Sequence, residues 1–322
     1  MPAIRRRLSR NARPGHQRIR RTTGYLGAPG KRFRRERLLI VGCGDVGLRV
    51  AALLRGRLNL LALTSSLDRV AELRASGIKP LVGNLDDPQS IKRLAALATR
   101  LVHLAPPPGS GSGDPRTLAL TRALRRRALP KSLVYGSTSG VYGDCEGRFA
   151  SETVATNAST ARAGRRIDAE MVIRRLGRGS ALRCSILRIP GIYAPDRAGG
   201  TPQGRLLRGT PVLSAADDVY TNHIHADDLA RACVAALWRG KPGRVYNIND
   251  DTCLKMGDYF DLAADLYHLP RPARVSRSVA EQTLPALLLS FMSESRRMDN
   301  QRMKVELGLR LRFPTVLGGL QG

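Results

Sequence analysis

Residues 37–56 read RLLIVGCGDVGLRVAALLRG, and the fold is decided here. Leu38 to Val41 form an unbroken apolar run, as a strand buried on both faces requires. Gly42, Gly44 and Gly47 follow in GxGxxG spacing, and Val50, Leu53 and Leu54 then recur at helical period. Three glycines at this spacing carry meaning when a strand precedes them and a helix follows. The first makes the turn, the second lets backbone approach a pyrophosphate, and the third lets the helix pack on the sheet with its N-terminus facing the anion. Gly42, Gly44, Asp45, Val46 and Gly47 are therefore candidate dinucleotide-binding positions.

The alternation continues downstream. LNLLALT (58–64), KPLVG (79–83), RLVHLA (100–105) and KSLVYGS (131–137) predict strands. LDRVAELRASG (67–77), DPQSIKRLAALAT (87–99) and PRTLALTRALRRR (115–127) predict helices between them. Strands alternating with helices imply a Rossmann-type, doubly wound parallel sheet in an α/β fold, because parallel neighbours need crossovers. Ligands bind beyond the carboxyl ends of such strands, where Ser137 and Thr138 fall. The second strand closes Leu63-Thr64-Ser65-Ser66. A ligand with a free ribose 2′-hydroxyl calls for a carboxylate there. Hydroxyls at Ser65 and Ser66, with Arg69 close behind, favour NADP over NAD.

Composition limits the remaining classes. The chain has 322 residues, 42% hydrophobic, enough for one large α/β core, and contains no apolar run near 18 residues. No membrane span is expected. Cys43, Cys145, Cys184, Cys233 and Cys253 are scattered singly, so neither a disulfide framework nor a zinc site is indicated, and a cytoplasmic setting fits. Of the net charge of +28, residues 1–37 carry +12, from thirteen Arg/Lys against Glu36. Residues 1–36, with almost no apolar content, read as a disordered basic tail. A solvated extension, a nucleic-acid arm and a transit peptide are the competing accounts of it. Nucleic acid is not the partner that the rest of the sequence favours.

The motifs together resemble the short-chain dehydrogenase/reductase superfamily, in its extended, NAD-dependent epimerase/dehydratase form. The matching pieces are VGCGDVG (41–47), GNLDD (83–87), LVHLAPPP (101–108), YGSTSGVYGD (135–144), ILRIPGIYAP (186–195), NHIHADDLARA (222–232), VYNIND (245–250) and the closing MDNQRMKVELGLRLRFPT. The resemblance covers nearly everything after residue 36. It implies a dinucleotide-binding domain over 37–188 and a smaller substrate lobe over 189–322, with segments of the latter returning to the core. It adds Asn84, Leu85, Leu104, Ala105, Pro106 and Ser137 as cofactor contacts, and Pro190 and Gly191 beside the nicotinamide. It places a catalytic hydroxyl at Thr138.

One departure outweighs the matches. The family's Tyr-x-x-x-Lys pair falls, counting from Glu170 in TARAGRRIDAEMVIRRLG, on Arg162 and Arg166. No other tyrosine has a lysine four residues on. A guanidinium stays protonated to above about pH 12, so it cannot pass a proton as a phenol does. General acid–base groups contribute roughly 10²- to 10⁴-fold in rate, so the usual mechanism is crippled or replaced. In this respect the chain is similar to an atypical, YeeZ-type branch. Thr138-Ser139-Gly140 also lacks the carboxylates that the family's sugar-nucleotide dehydratases use.

Tyr142, four residues beyond Thr138, is the candidate proton carrier; the alternative is a packed aromatic supporting the loop. Arg162 and Arg166, at i and i+4 on one helix face, are candidate contacts for an anionic substrate, or else solvated arginines. Asp227 or Asp228 is expected to cap a helix running through Trp238. The expected function is an NAD(P)-binding oxidoreductase or epimerase-like protein acting on an unidentified small molecule. A non-catalytic NAD(P) sensor is the alternative.

Overall fold

The computed structural model describes residues 36–321. The basic tail expected over 1–36 lies, but for Glu36, outside the described residues.

The main sheet has seven strands, all parallel: β1 Arg37–Val41, β2 Asn59–Thr64, β3 Lys79–Val82, β4 Arg100–His103, β5 Ser132–Thr138, β6 Arg183–Ile189 and β7 Arg244–Asn247. Their spatial order is 3-2-1-4-5-6-7. The order reverses between β1 and β4, and the crevice at that reversal is where a doubly wound sheet binds its ligand.

Alternation along β1 divides its side chains between two cores. Leu38 and Ile40 pack on one face with Val50, Ala51 and Leu54 of α1 (Asp45–Leu54) and Leu229, Cys233 and Leu237 of a later helix, Ala226–Arg239. Leu39 and Val41 pack on the other with Leu120 and Leu124 of Pro115–Leu124 and Ile173 and Leu176 of Ala161–Gly177. All four β1 side chains are buried, and each full burial of this kind contributes about 1.5–3 kcal/mol.

After α1 come α2 Arg69–Ala75, α3 Pro115–Leu124, α4 Ala161–Gly177, α5 Gln203–Leu207, α6 Ala226–Arg239 and α7 Met256–Leu266, followed by four short helices, Arg277–Thr283, Ala286–Met292, Gln301–Glu306 and Val316–Gln321. α3 starts on Asp114, whose carboxylate accepts from Thr117 N at 3.0 Å, with Pro115 at the first helical position. α4 starts on Thr160, which accepts from Ala163 N at 3.2 Å. The helix expected over 87–99 is replaced by a single 3-10 turn, Lys92–Leu94. Short polar side chains win the backbone there: Gln89 N donates to Asp87 Oδ1 and Ser90 Oγ to Asp87 O, while Ala96 takes φ +57° and stops any propagation. Ile91 and Leu94 are buried without a helix to carry them.

The second half is mixed. A strand His223–His225 pairs with Gly191–Tyr193 in a separate two-stranded sheet, while α6 and β7 return to the main sheet and Ile224, Met303, Leu307 and Leu309 pack in its core. A separate core of Leu206, Val212, Leu213, Val219, Phe260 and Ala263 forms the small lobe. α6 is capped by His225, whose Nδ1 accepts from Asp227 N at 3.2 Å, and not by an aspartate. Asp227 pairs instead with Arg49, and Asp228 accepts from Arg312 N and Phe313 N. Among the described residues no helix is long and apolar enough to cross a membrane.

Candidate functional site

The glycine loop gives each glycine a separate reason. Gly42 has φ +85°, and a Cβ there would lie 2.2 Å from Ala105 N. Leu104 N and Ala105 N both donate to Val41 O, so the ends of β1 and β4 are locked together at this point. A Cβ on Gly47 would press on Gly42 O and Ile40, each at 3.2 Å, where α1 meets the sheet. Gly44 is different: its backbone is ordinary extended chain (φ −81°, ψ −155°), and a Cβ would meet nothing within 4 Å. The space above Gly44 is an open cradle at the N-terminus of α1, of the kind a pyrophosphate occupies.

A crevice of about 320 Å³ runs from this cradle past Val46, Leu104 and Ser137 to Pro190. Asp45, the one carboxylate lining it, is turned away to Arg49 (3.1 Å) and Arg197 (3.3 Å), which offsets its repulsion of an anion. Arg197 also lines the crevice. It comes from the loop after β6, and no local signal in the sequence marks it.

Arg69 does not line the crevice; it reaches the glycine loop from α2, where its Nη1 donates to Cys43 O at 2.7 Å. Its other donors reach Glu72 at 3.0 and 3.1 Å. Ser65 and Ser66 follow β2 close by, with Ser66 N donating to Thr64 Oγ1 at 3.3 Å. Asn84 and Leu85 are committed locally: Asn84 Oδ1 accepts from Asp86 N, and Leu85 is buried in the core. Of the expected cofactor positions, Gly42, Gly44, Asp45, Val46, Gly47, Leu104, Ser137 and Pro190 line the crevice. Pro106 and Gly191 line the larger cavity beside it, Ala105 packs its backbone under Gly42, and Ser65, Ser66, Asn84 and Leu85 line neither.

β5 delivers its hydroxyls to two destinations. Ser137 Oγ donates to Glu170 Oε1 at 2.7 Å, and Glu170 holds Arg188 through contacts of 3.1 and 2.9 Å. This buried triad braces β5 against α4 and β6. Thr138 Oγ1 accepts from Gly140 N at 3.3 Å and lines both the crevice and the larger cavity.

Tyr142 is not placed for proton transfer, contrary to its reading as a proton carrier. The 3-10 turn Ser139–Tyr142 and the positive φ of Gly143 send its ring into a cluster with Val141, Cys145 and Ala150. It is 1% exposed, its hydroxyl donates to Asn247 Oδ1 at 2.7 Å, and the Arg188 guanidinium lies 4.6 Å from its ring centroid. Burial raises its phenol above the usual range. Tyr142 supports the loop.

The larger cavity, about 710 Å³, lies between the Thr138 loop and the small lobe. Arg162 and Arg166 both reach it, and Arg166 lines the crevice too. Arg166 Nη1 donates to Tyr135 OH (3.1 Å) and Gly136 O (2.7 Å), which pins the guanidinium against β5. Arg162 sits 4.8 Å from the Phe291 ring centroid. Sequence reading did not assign to the site five more members of the wall: Arg165, Arg205, His223 and the Arg296–Glu294 pair at 2.6 Å. Arg165 falls between the two arginines that motif counting selected; the others come from segments remote in sequence. His223 pairs in register with Gly191, and burial pulls its imidazole down to about 4, so it is neutral near pH 7.

A family model described as the NAD dependent epimerase/dehydratase family matches residues 39–249. Among curated proteins, none matches. A functionally unknown conserved protein from Silicibacter pomeroyi is 30% identical, with 89% of this chain and 97% of that one covered at a TM-score of 0.75. UDP-glucose 4-epimerase from Thermotoga maritima, solved with UDP-glucose, is 17% identical over 88% of this chain and 96% of its own, with a TM-score of 0.72. The Thermus thermophilus UDP-glucose 4-epimerase, solved with NAD, is 19% identical over 88% and 96%, with a TM-score of 0.67. At those identities the two epimerases speak for the fold alone. The matched stretch holds the glycine loop, Thr138 and the arginines of α4, and by it the chain belongs to the NAD dependent epimerase/dehydratase family.

Proposed function

We propose that the protein is an NAD(P)-binding oxidoreductase or epimerase-like enzyme that works without the Tyr-x-x-x-Lys pair. The observation that carries this reading is continuity. The open cradle over Gly44 runs into the crevice, and Thr138 and Arg166 line both that crevice and the larger cavity. The residues present fit a dinucleotide: the glycine loop and α1 N-terminus, with Arg197, would hold the pyrophosphate, and Pro190 and Gly191 the nicotinamide. Ser65, Ser66 and Arg69 would receive a 2′-phosphate, which favours NADP. When bound, the dinucleotide supplies hydride transfer.

The chain's own groups divide the remaining work. The Thr138 hydroxyl orients a substrate oxygen, and Arg162 and Arg166 hold negative charge near it. Both guanidiniums stay protonated at neutral pH. The proton therefore comes from cavity water, and His223, the neutral imidazole of the wall, can relay it but carries no acidic proton of its own to give. The two arginines in place of Tyr and Lys also favour a second reading, a non-catalytic sensor of cofactor occupancy.

Calorimetric titration with NADPH and NADH tests the cofactor assignment. NADPH should bind more tightly, and Arg69→Ala should weaken it about tenfold while sparing NADH, as loss of a charge-assisted hydrogen bond implies. A preference for NADH would refute the 2′-phosphate site. Turnover separates enzyme from sensor: Arg162→Tyr with Arg166→Lys should raise carbonyl reduction, and Thr138→Ala should remove the gain. Cofactor binding with no turnover in any of these variants would favour the sensor.

A further inference from the structure

Several arginines of this protein are held by carboxylates. Arg49 holds Asp45, Asp196 and Asp227; Arg188 holds Glu170; Arg244 holds Glu306; Arg274 holds Asp261. The larger cavity gathers arginines that are not held in this way. Arg162, Arg165, Arg166 and Arg205 all line it, and among the described residues none of the four pairs with a carboxylate. Glu294, the one acid of the wall, is already held by Arg296 at 2.6 Å.

Two of the four are deeply set. Arg165 is 7% exposed; its Nη1 donates to Gly111 O at 2.9 Å and its Nε is buried with no partner. Arg205 has both Nε and Nη2 buried without partners, and its guanidinium is held 4.2 Å from the Phe260 ring centroid. Burial and the neighbouring Arg208 lower it to about 10, so it still carries its charge at neutral pH. An unpaired buried charge costs several kcal/mol, and an anion brought by a ligand offsets that cost.

The charges form two stations on opposite walls. Arg162, Arg165 and Arg166 project from α4 beside Thr138. Arg205 projects from α5 in the small lobe, against α7. Ile192, Met256, Tyr259 and Phe291 add apolar and aromatic surface to the same lining, and Thr221, Asn222 and His223 add polar surface. We propose that the substrate is a dianion, with one anionic group at the reacting end, held by Arg162 and Arg166 and backed by Arg165, and a second at the far end, held by Arg205. The assignment of the reacting end rests on the proposed function above; the two stations do not.

The test is isothermal titration of the full chain, with and without saturating NADP. The probes are 6-phosphogluconate and 3-phosphoglycerate, dianions in the sense of two separate anionic groups, at two spacings; gluconate and glucose 6-phosphate, with one anionic group each; and glucose as the neutral control. At least one dianion should bind tenfold or more tightly than either single-anion probe, and glucose should not bind. Arg205→Gln should cost that dianion tenfold or more and spare one of the single-anion probes. Arg162→Gln with Arg166→Gln should spare the other. Arg205→Gln should also raise the Tm of the ligand-free protein, since it removes an unpaired buried charge, while Arg205→Lys should keep dianion binding measurable. Equal affinities across the probes, or one uniform loss in both variants, would overturn the proposal. Dianion binding without NADP binding would break the functional reading and leave the stations standing. NADP binding without dianion preference would do the reverse.

Discussion

The crevice over the glycine loop and the cavity under the small lobe meet at Thr138, yet they recognise ligands by opposite means. In the crevice, backbone and absent side chains shape the space over the glycine loop, where Asp45 is matched by Arg49 and Arg197, and Arg166 enters only at the Thr138 end. In the cavity, side chains from α4, α5, α7 and the strand at His223 contribute to the wall, and four of its five arginines stand without a carboxylate among the described residues. A site built from backbone is tied to one stretch of chain and one ligand geometry. A site built from side chains of several segments can change its ligand without changing its fold.

The comparison breaks first if the brace behind both cavities is removed. Glu170 ties Ser137 and Arg188 beneath Thr138. Glu170→Ala leaves Arg188 charged, buried and unpaired, and should cost about 3–5 kcal/mol in chemical denaturation. Glu170→Ala together with Arg188→Met should recover much of that loss. A single variant as stable as the parent would show that the triad does not hold β5 to β6.

The crevice is sharpened by two substitutions in one loop. Gly44→Val fits the extended backbone and open space there, so the Tm should hold while NADPH affinity falls 100-fold or more, about 2.7 kcal/mol. Gly42→Ala, with φ +85° and Ala105 N in the way, should destabilise the fold by at least about 1–3 kcal/mol from backbone strain alone. Unchanged NADPH affinity in Gly44→Val would refute the cradle. Loss of fold in that variant would show that the glycine is structural.

The last contrast is a pH dependence, spread over several pH units. Asp250 is 1% exposed, and burial, in spite of a hydrogen bond from Thr252 N, raises its carboxyl to about 7. An unfolded aspartate titrates near 3.9. Between those values the folded chain binds the extra proton, so this contribution to stability is complete below about pH 4 and is lost as pH rises to about 7, at up to about 1.4 kcal/mol per pH unit. Asp250→Asn should flatten the denaturation free energy over that range and make the protein more stable than the parent at pH 8. An unaltered slope would remove Asp250 as its source.

What was legible in the sequence follows the same division. The strands before Thr138 and the helices at 115–125 and 226–239 could be read because burial on both faces and helical period leave direct patterns. The helix expected at 87–99 failed because local hydrogen bonds of Asp87 and Ser90 outweighed an apolar spacing that Ile91 and Leu94 satisfy without it. Tyr142 was near Thr138 in sequence and far from it in function, because one turn reverses the direction of its side chain.

The sequence by itself determined the parallel sheet, the glycine loop and the absence of a Tyr-x-x-x-Lys pair, since each is a property of consecutive residues acting through local geometry. Only the tertiary structure decided that Arg165 and Arg205 face one cavity, that Arg197 reaches Asp45, and that Asp227 and Asp228 bond outward while His225 caps α6. Those facts depend on where remote segments lie when the small lobe closes on the sheet. Which charges are left without a partner is settled only once every segment has been placed, and no local pattern records it.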